Sequence, residues 1–143
     1  MNTKIYKQVH SLASQLLEAA QKEDEQCFEQ RYLELTALCE NNAGVERKDH
    51  PVQWETLADF TDDTESALAL YRKALALAHD ISSEDFIASI NYSMALLLQQ
   101  NKRLDEALAC ALLSKAATEL IVDNELKREA FKLVKSLQAA TKS

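Results

Sequence analysis

Apolar residues recur at spacings of three and four along most of the chain, which is the pattern of an α-helix with one buried face. The first segment shows this spacing at Ile5, Val9 and Leu12. Polar and capping residues divide the pattern into seven segments, so the sequence predicts seven helices. They cover about residues 3–22, 24–41, a short stretch from 51, then 65–80, 83–100, 103–118 and 123–141.

The loop from 41 to 51 is the clearest break between these segments, because it holds the only glycine and the only proline, Gly44 and Pro51. Antiparallel sheets and phosphate-binding loops need more turn residues than this. The sequence therefore predicts an all-α fold. Pro51 suits the first turn of the third helix, where its missing N–H is not needed. All other connections are short, so successive helices are expected to pack as antiparallel neighbours.

Polar residues between the segments mark two further helix starts. Asp62 or Thr61 can cap the fourth helix, since Glu65 stands three residues after Asp62 as in a capping box. Ser82 or Ser83 can cap the fifth helix.

Small residues recur on the predicted helices. The stretch ESALALYRKALALAHD at 65–80 is rich in alanine, which forms helix readily but buries little apolar area, so its small side chains indicate that another helix comes close. One triplet spacing, of four and then three residues, recurs at a period near 40 residues, which is typical of stacked helix pairs. The triplets are Phe28, Tyr32 and Leu35, then Ala67, Tyr71 and Ala74, then Ala107, Ala111 and Ser114.

In these residues the chain resembles the tetratricopeptide-repeat family, in a form with about 40 residues per repeat. The first helix of a family repeat carries a Trp-x-x-Leu-Gly pattern, which Trp54, Leu57 and Ala58 resemble. The second carries small, aromatic and small residues, which Ala67, Tyr71 and Ala74 match; in the next repeat Met94 and Ala95, then Ala107, Ala111 and Ser114, take these places. The resemblance implies one helical-repeat domain over 1–143, with a degenerate first helix pair in 1–42, repeats in 51–80 and 83–118, and a C-terminal capping helix in 123–141.

Two features depart from the family pattern. The link from Ala58 to Ala67 is shorter than the family spacing, and the proline usual near the end of a repeat is absent. An unrelated helical bundle is therefore the alternative fold.

The formal net charge is -7 at pH 7, and it is unevenly spread. Residues 51–80 hold six acids against Arg72 and Lys73, whereas residues 101–143 hold eight bases against six acids. Nucleic-acid phosphates need a basic face, so this charge argues against a nucleic-acid partner. The acidic middle is instead a candidate surface for a basic protein or peptide.

No apolar run approaches the roughly 20 residues of a membrane span, and the N-terminal stretch lacks the apolar core and cleavage site of a signal peptide. The sequence therefore predicts a cytoplasmic protein with no membrane partner. Cys27, Cys39 and Cys110 stand at no metal-binding spacing and are expected to be buried, reduced thiols.

Motifs for catalysis and for metal binding are missing from the sequence. His10, His50 and His79 are far apart, and none belongs to a motif such as HExxH or GxSxG. Asp62 and Asp63 are paired carboxylates, but they stand at a helix start, where capping explains them. We therefore expect a protein that is not an enzyme and that needs no cofactor and no metal.

The family resemblance also implies a binding face. Family members hold a peptide or a partner's surface on the concave face lined by the first helix of each pair. On this chain that face would include Glu55, Asp59, Tyr92, Leu96, Gln99 and Gln100, with His10, Ala13 and Leu17 if the first pair is a true repeat. Members that bind the acidic tails of chaperones carry Lys, Asn and Arg there, so that activity is not expected. Glu55 and Asp59 lie four residues apart, where like charges repel, a cost that a purely structural role does not require.

The predicted function is a non-catalytic protein-interaction module that holds a dedicated basic partner in an acidic concave groove. Immunity proteins that neutralise toxins, chaperones of secretion substrates and adaptors are the classes that fit a short acidic chain of this kind. The alternative is a structural helical protein that forms a homo-oligomer through the amphipathic faces of its first and last helices.

Overall fold

The computed structural model describes residues 3–142, and seven α-helices form most of this part of the chain. They are α1 Thr3–Gln21, α2 Glu25–Asn42, α3 Pro51–Asp59, α4 Thr64–Asp80, α5 Glu84–Gln100, α6 Leu104–Thr118 and α7 Asn124–Thr141. The described residues form no strand, and adjacent helices pack as pairs. The predicted all-α fold of about seven paired helices is therefore confirmed.

The chain divides into two compact units, one reaching to Leu77 and the other starting at Ala78. The first contains α1, α2, α3 and most of α4, and the second contains the end of α4 with α5, α6 and α7. The fully buried large apolar side chains are Leu16, Leu35 and Leu68 in the first unit and Ile90 and Leu137 in the second. In the second unit α7 packs on α6 and also contacts α5. The single domain over 1–143 stays a prediction.

Small buried residues characterise the α5–α6 pair of the second unit. Ala88 and Ala95 on α5 are fully buried, as are Ala107 and Ala111 on α6. Ser114 on α6 is also fully buried, and its hydroxyl donates to the Ala88 carbonyl at 2.8 Å. A side chain as short as serine reaches a neighbouring backbone only where the two helices lie close together, and small residues permit that approach.

The α3–α4 pair of the first unit combines small and polar contacts. Ala67, Tyr71 and Ala74, the triplet expected to face another helix, are all buried. The Tyr71 hydroxyl donates to Oδ1 of Asp59. The Lys73 ammonium lies 4.0 Å from the centre of the Trp54 ring. These contacts join α3 to the middle of α4, as expected for an antiparallel pair.

One carboxylate holds the long loop between α2 and α3. Oδ1 of Asp49 accepts from the Trp54 indole N–H at 2.6 Å and from the Gln53 amide at 3.2 Å. Oδ2 of Asp49 accepts from the backbone N–H of Gly44 at 2.9 Å. Gly44 has a φ of 73°, in the left-handed region that glycine adopts without a steric cost.

Two buried polar side chains continue this network into the first unit. Gln53 is fully buried, and its side-chain carbonyl accepts from the Asn42 amide at 3.0 Å. The Cys39 thiol donates to the Gln53 backbone carbonyl at 3.4 Å, and burial raises the pKa of that thiol to about 12. Cys27 and Cys110 are only half-buried, so the prediction that all three thiols are buried is wrong for these two. Both lie on helix faces that are partly open to solvent.

Three of the connections share one backbone geometry. Each has three residues between helices, and the middle residue has a positive φ: 54° at Glu23, 53° at Ser82 and 59° at Lys102. Each following N–H closes the turn at 2.9 Å, from Asp24 to the Ala19 carbonyl, from Ser83 to Ala78 and from Arg103 to Leu98. This is the Schellman arrangement, which usually ends in glycine. The chain thus ends three helices sharply without using a glycine.

Two helix starts agree with the sequence. Pro51 is the first residue of α3, and the residue before it, His50, accepts from the Val52 N–H through Nδ1 at 3.1 Å. Ser83 caps α5, since its hydroxyl accepts from the Phe86 N–H at 3.3 Å.

The predicted cap of α4 is wrong. Asp63, rather than Asp62 or Thr61, accepts from the Ser66 backbone N–H at 2.9 Å and from the Ser66 hydroxyl at 2.7 Å. Thr61 instead donates to the Leu57 carbonyl at the end of α3, at 2.7 Å. The cap lies one residue later than expected because Thr61 completes the preceding helix.

Candidate functional site

The two acids predicted for the binding face on α3 have different surroundings. Glu55 is half-buried, and its charge adds to the effect of burial in raising the pKa of Tyr6 on α1. Asp59 is exposed as a residue, but partial burial of its carboxylate raises its pKa. The hydrogen bond from Tyr71 acts in the opposite direction and lowers this pKa. Asp59 therefore has a structural partner on α4 that the sequence did not reveal.

The other predicted residues lie on two helices. On α5, Tyr92, Leu96 and Gln99 follow one another at helical spacing and are half-buried, whereas Gln100 is exposed. On α1, His10 and Leu17 are exposed and Ala13 is half-buried. Glu55 and Asp59 thus belong to the first unit, and the four α5 residues belong to the second.

The second unit contains a cleft between the first turns of α5 and the start of α7, with a volume of about 470 Å³. Its floor includes the rings of Phe86 and Tyr92, and its rim carries four carboxylates. We call it the α5–α7 cleft, and its lining residues are Asp85, Phe86, Ser89, Tyr92, Asp123, Glu125, Leu126 and Glu129.

Local helix chemistry explains where three of these acids lie. Asp123 caps α7, because its Oδ1 accepts from the Leu126 N–H at 3.1 Å. Asp85 and Glu125 lie in the first turns of α5 and α7, where the positive end of the helix dipole stabilises a negative charge. Glu129 lies beyond the first turn of α7, so the dipole does not account for it. It adds a fourth negative charge to the rim.

Tyr92 connects the apolar and the acidic parts of the cleft. Its ring is half-buried, and burial, together with the charge of Glu129, raises the pKa of its hydroxyl. The Glu129 carboxylate also lies 3.8 Å from the Lys132 ammonium, a pair open to solvent and therefore of little energetic weight. The cleft thus offers aromatic and aliphatic surface beside a negative potential, which suits a side chain with an apolar stem and a positive end.

Of the six residues predicted for the binding face, Tyr92 lines this cleft, whereas the other five do not. The sequence analysis singled out neither Phe86 nor Asp123 as a binding residue. Their meeting depends on α7 returning alongside α5, which the helical period alone does not reveal. The acids at the starts of both helices were the available signal, but acids are common at helix starts because they stabilise the helix dipole.

The first unit has a cavity that is also lined by carboxylates and an aromatic ring, but with less apolar surface. It lies between the end of α1 and the start of α2 and measures about 670 Å³. Phe28 is its one aromatic residue, and its carboxylates include Glu23, Asp24 and Asp62. Asp24 is engaged as the cap of α2, accepting from the Cys27 N–H at 3.1 Å. With less apolar surface, this cavity is the weaker candidate.

Within residues 3–142, no group of three or more His, Cys, Asp or Glu side chains is arranged to hold a metal ion. Likewise, no helix in this range is both long and apolar enough to cross a membrane. Comparisons with protein-family models, with curated proteins and with solved structures found no match to this chain. The candidate function is therefore argued from the α5–α7 cleft itself.

Proposed function

We propose that this chain is a non-catalytic, cytoplasmic protein-interaction module of the tetratricopeptide type that binds a basic protein or peptide. The observation that carries the proposal is the α5–α7 cleft, whose lining combines four carboxylates with aromatic and aliphatic side chains. Burial of the small and aromatic positions that resemble the family pattern supports the repeat assignment.

Charge and shape in the cleft define the partner. A lysine or arginine side chain would lay its aliphatic stem on Phe86, Tyr92 and Leu126 and bring its positive end to Glu129 and Asp85. Negative charge around the rim would accelerate encounter with a basic segment, and the buried ring contact would slow its release. Glu55 and Asp59 remain predicted partner-binding residues of the first unit, where Asp59 also accepts the hydrogen bond from Tyr71.

Selection from a random peptide-display library on the immobilised protein tests this proposal. We expect enrichment of peptides rich in lysine and arginine, with affinities that fall as salt is raised. Glu125→Lys combined with Glu129→Lys should weaken a selected peptide by about tenfold or more, mainly through slower association. Glu29→Lys combined with Glu40→Lys is the charge-matched control, because both residues are exposed on α2 and lie outside the cleft.

Tyr92 provides a second arm of the same experiment. Tyr92→Ala should speed dissociation of the selected peptide, whereas Tyr92→Phe should preserve most of the affinity because the ring remains. A selection that enriches no basic peptides, or a double charge reversal in the cleft that acts no more strongly than the double reversal on α2, would show that the cleft is not the binding site.

A further inference from the structure

The outer face of α6 is apolar although it is exposed. A surface helix normally places polar side chains opposite its buried stripe. Between Ala107 and Thr118, however, the exposed positions are Ala109, Leu112, Leu113 and Ala116. Leu113 is 57% exposed, and Leu120, in the turn that follows the helix, is 71% exposed. A contiguous apolar face of this kind marks an interaction surface.

The spacing of these residues indicates what fits against them. Ala109, Leu113, Ala116 and Leu120 are separated by four, three and four residues, and we call this set the α6 seam. Apolar residues at this spacing form the contact line of a coiled coil, in which the complementary surface is another helix.

We propose that a second copy of this chain covers the α6 seam, with the two α6 helices antiparallel about a two-fold axis. An axis between Leu113 and Ala116 sets Leu113 of each copy against Ala116 of the other, and Ala109 against Leu120. Every layer then pairs one large side chain with one small one, so the two surfaces interlock. Parallel helices would instead set leucine against leucine and alanine against alanine, which leaves gaps at the alanine layers.

Two ion pairs lie beside the seam within each copy. The Arg103 guanidinium donates to both Glu106 oxygens at 3.0 and 2.8 Å, and the Lys115 ammonium lies 3.8 Å from Glu119. Pairing within each copy reduces the net charge that one α6 presents to the other. Apolar contact therefore drives the association, and raising salt should not weaken it. Binding of a basic partner in the α5–α7 cleft has the opposite salt dependence, so failure of one proposal is distinguishable from failure of the other.

The size of the seam sets the strength of the dimer. Stable interfaces bury roughly 800 Å² on each partner, and a seam of a few leucines and alanines covers less. We therefore expect a reversible dimer whose population rises with concentration.

Sedimentation velocity over a wide concentration range tests the dimer directly. The wild-type mass should rise from 16.1 kDa towards twice that value as concentration increases. Leu113→Arg should keep the chain monomeric, because it places a positive charge at the centre of the seam. Leu33→Arg on α2 is the matched control, since Leu33 is 58% exposed, and it should dimerise as the wild type does. Circular dichroism of both variants checks that the helices remain. A wild-type chain that stays monomeric, or equal loss in both variants, overturns the proposal.

A size swap tests the antiparallel register. Ala116→Leu should weaken the dimer, because it sets leucine against leucine, and Leu113→Ala should weaken it by about tenfold through lost apolar contact. The double variant restores one large and one small residue in each central layer, so it should dimerise nearly as well as the wild type. A double variant no better than the weaker single variant, or stronger pairing in Ala116→Leu, overturns the antiparallel arrangement.

Discussion

The corner between α2 and α3 in the first unit and the α5–α6 pair in the second solve the same packing problem by different means. At the corner, the side chains of Asn42, Asp49 and Gln53 hold the helices through directed hydrogen bonds. In the α5–α6 pair, small residues let two helices approach until Ser114 reaches the Ala88 carbonyl. No buried side-chain nitrogen or oxygen lacks a hydrogen-bond partner in the described part of the chain.

The difference implies that the two regions fail in opposite ways. A network of directed bonds is sensitive to the loss of one partner, because the remaining buried groups are then unsatisfied. A close helix crossing is sensitive to added volume, because a packed interior cannot absorb it without strain. The corner is therefore tested by removing a hydrogen-bond acceptor, and the α5–α6 pair is tested by introducing a larger side chain.

The largest effect is expected for Asp49→Ala, which removes the acceptor of the Trp54 indole, the Gln53 amide and the Gly44 N–H. We expect a loss of about 3 kcal/mol in the free energy of unfolding, because several donors lose a charged acceptor at once. Urea unfolding followed by the fluorescence of Trp54, the only tryptophan, measures it.

Two variants control this measurement. Asp49→Asn retains one side-chain oxygen and should recover part of the loss. Glu46→Ala, at an exposed position of the same loop, should leave stability nearly unchanged. An Asp49→Ala variant as stable as Glu46→Ala would mean that the network does not hold the corner.

A smaller loss in the free energy of unfolding, about 1–3 kcal/mol, is expected for Ala107→Leu in the α5–α6 pair. Ala107 is fully buried, so a larger side chain has to push the helices apart or adopt a strained rotamer. Thermal and urea unfolding measure the change. Ala76→Leu makes the same substitution at an exposed position of α4 and should be nearly neutral. Equal stability of the two variants would contradict the close crossing.

These two regions also show what the sequence could predict. The period of apolar residues and the alanine triplets depend on local repetition, and both predicted the helices and the buried positions Ala67, Ala74 and Ala107 correctly. The Asp49 network could not be predicted, because a loop aspartate gives no local sign of the tryptophan and glycine that its carboxylate contacts.

The candidate site follows the same division. Tyr92 was predicted from its position in the repeat pattern, whereas Glu129 meets Tyr92 only through the packing of α7 along α5. For Asp59 the sequence predicted a place on the binding face but missed a contact. The structure shows that Asp59 also accepts a hydrogen bond from Tyr71.

The cap of α3 gives the polar corner a pH dependence. Nδ1 of His50 accepts from the Val52 N–H, and burial lowers the pKa of this histidine. The folded state therefore binds fewer protons at His50 than the unfolded state, so the cap's contribution is present above about pH 6.5 and is lost as pH falls through the lower folded-state pKa. We expect this change to lower the free energy of unfolding by less than about 1 kcal/mol, because the ring is partly exposed.

His50→Asn isolates this contribution, because asparagine caps helices without titrating. Urea unfolding between about pH 7.5 and 5 should show a steeper loss of stability in the wild type than in the variant. The difference between the two chains is the correct measure, since the raised pKa of Asp59 acts in the opposite direction in both. Parallel curves would mean that the pKa of His50 is the same in the folded and the unfolded protein.

The smallest expected effect concerns the turn that both units share. Glu23 ends α1 in the first unit and Lys102 ends α5 in the second, each with a left-handed φ that costs a residue with a side chain more than glycine. Glu23→Gly and Lys102→Gly should each raise the free energy of unfolding by about 0.5 kcal/mol, after the greater flexibility of glycine in the unfolded chain is subtracted. Ala76→Gly, at an exposed position inside α4, should instead cost about 1 kcal/mol. Equal gains at Glu23 and Lys102 would show that the turn is energetically the same in the two units. A gain in one unit and a loss in the other would show that the surrounding packing, rather than the local backbone, sets the cost of the turn.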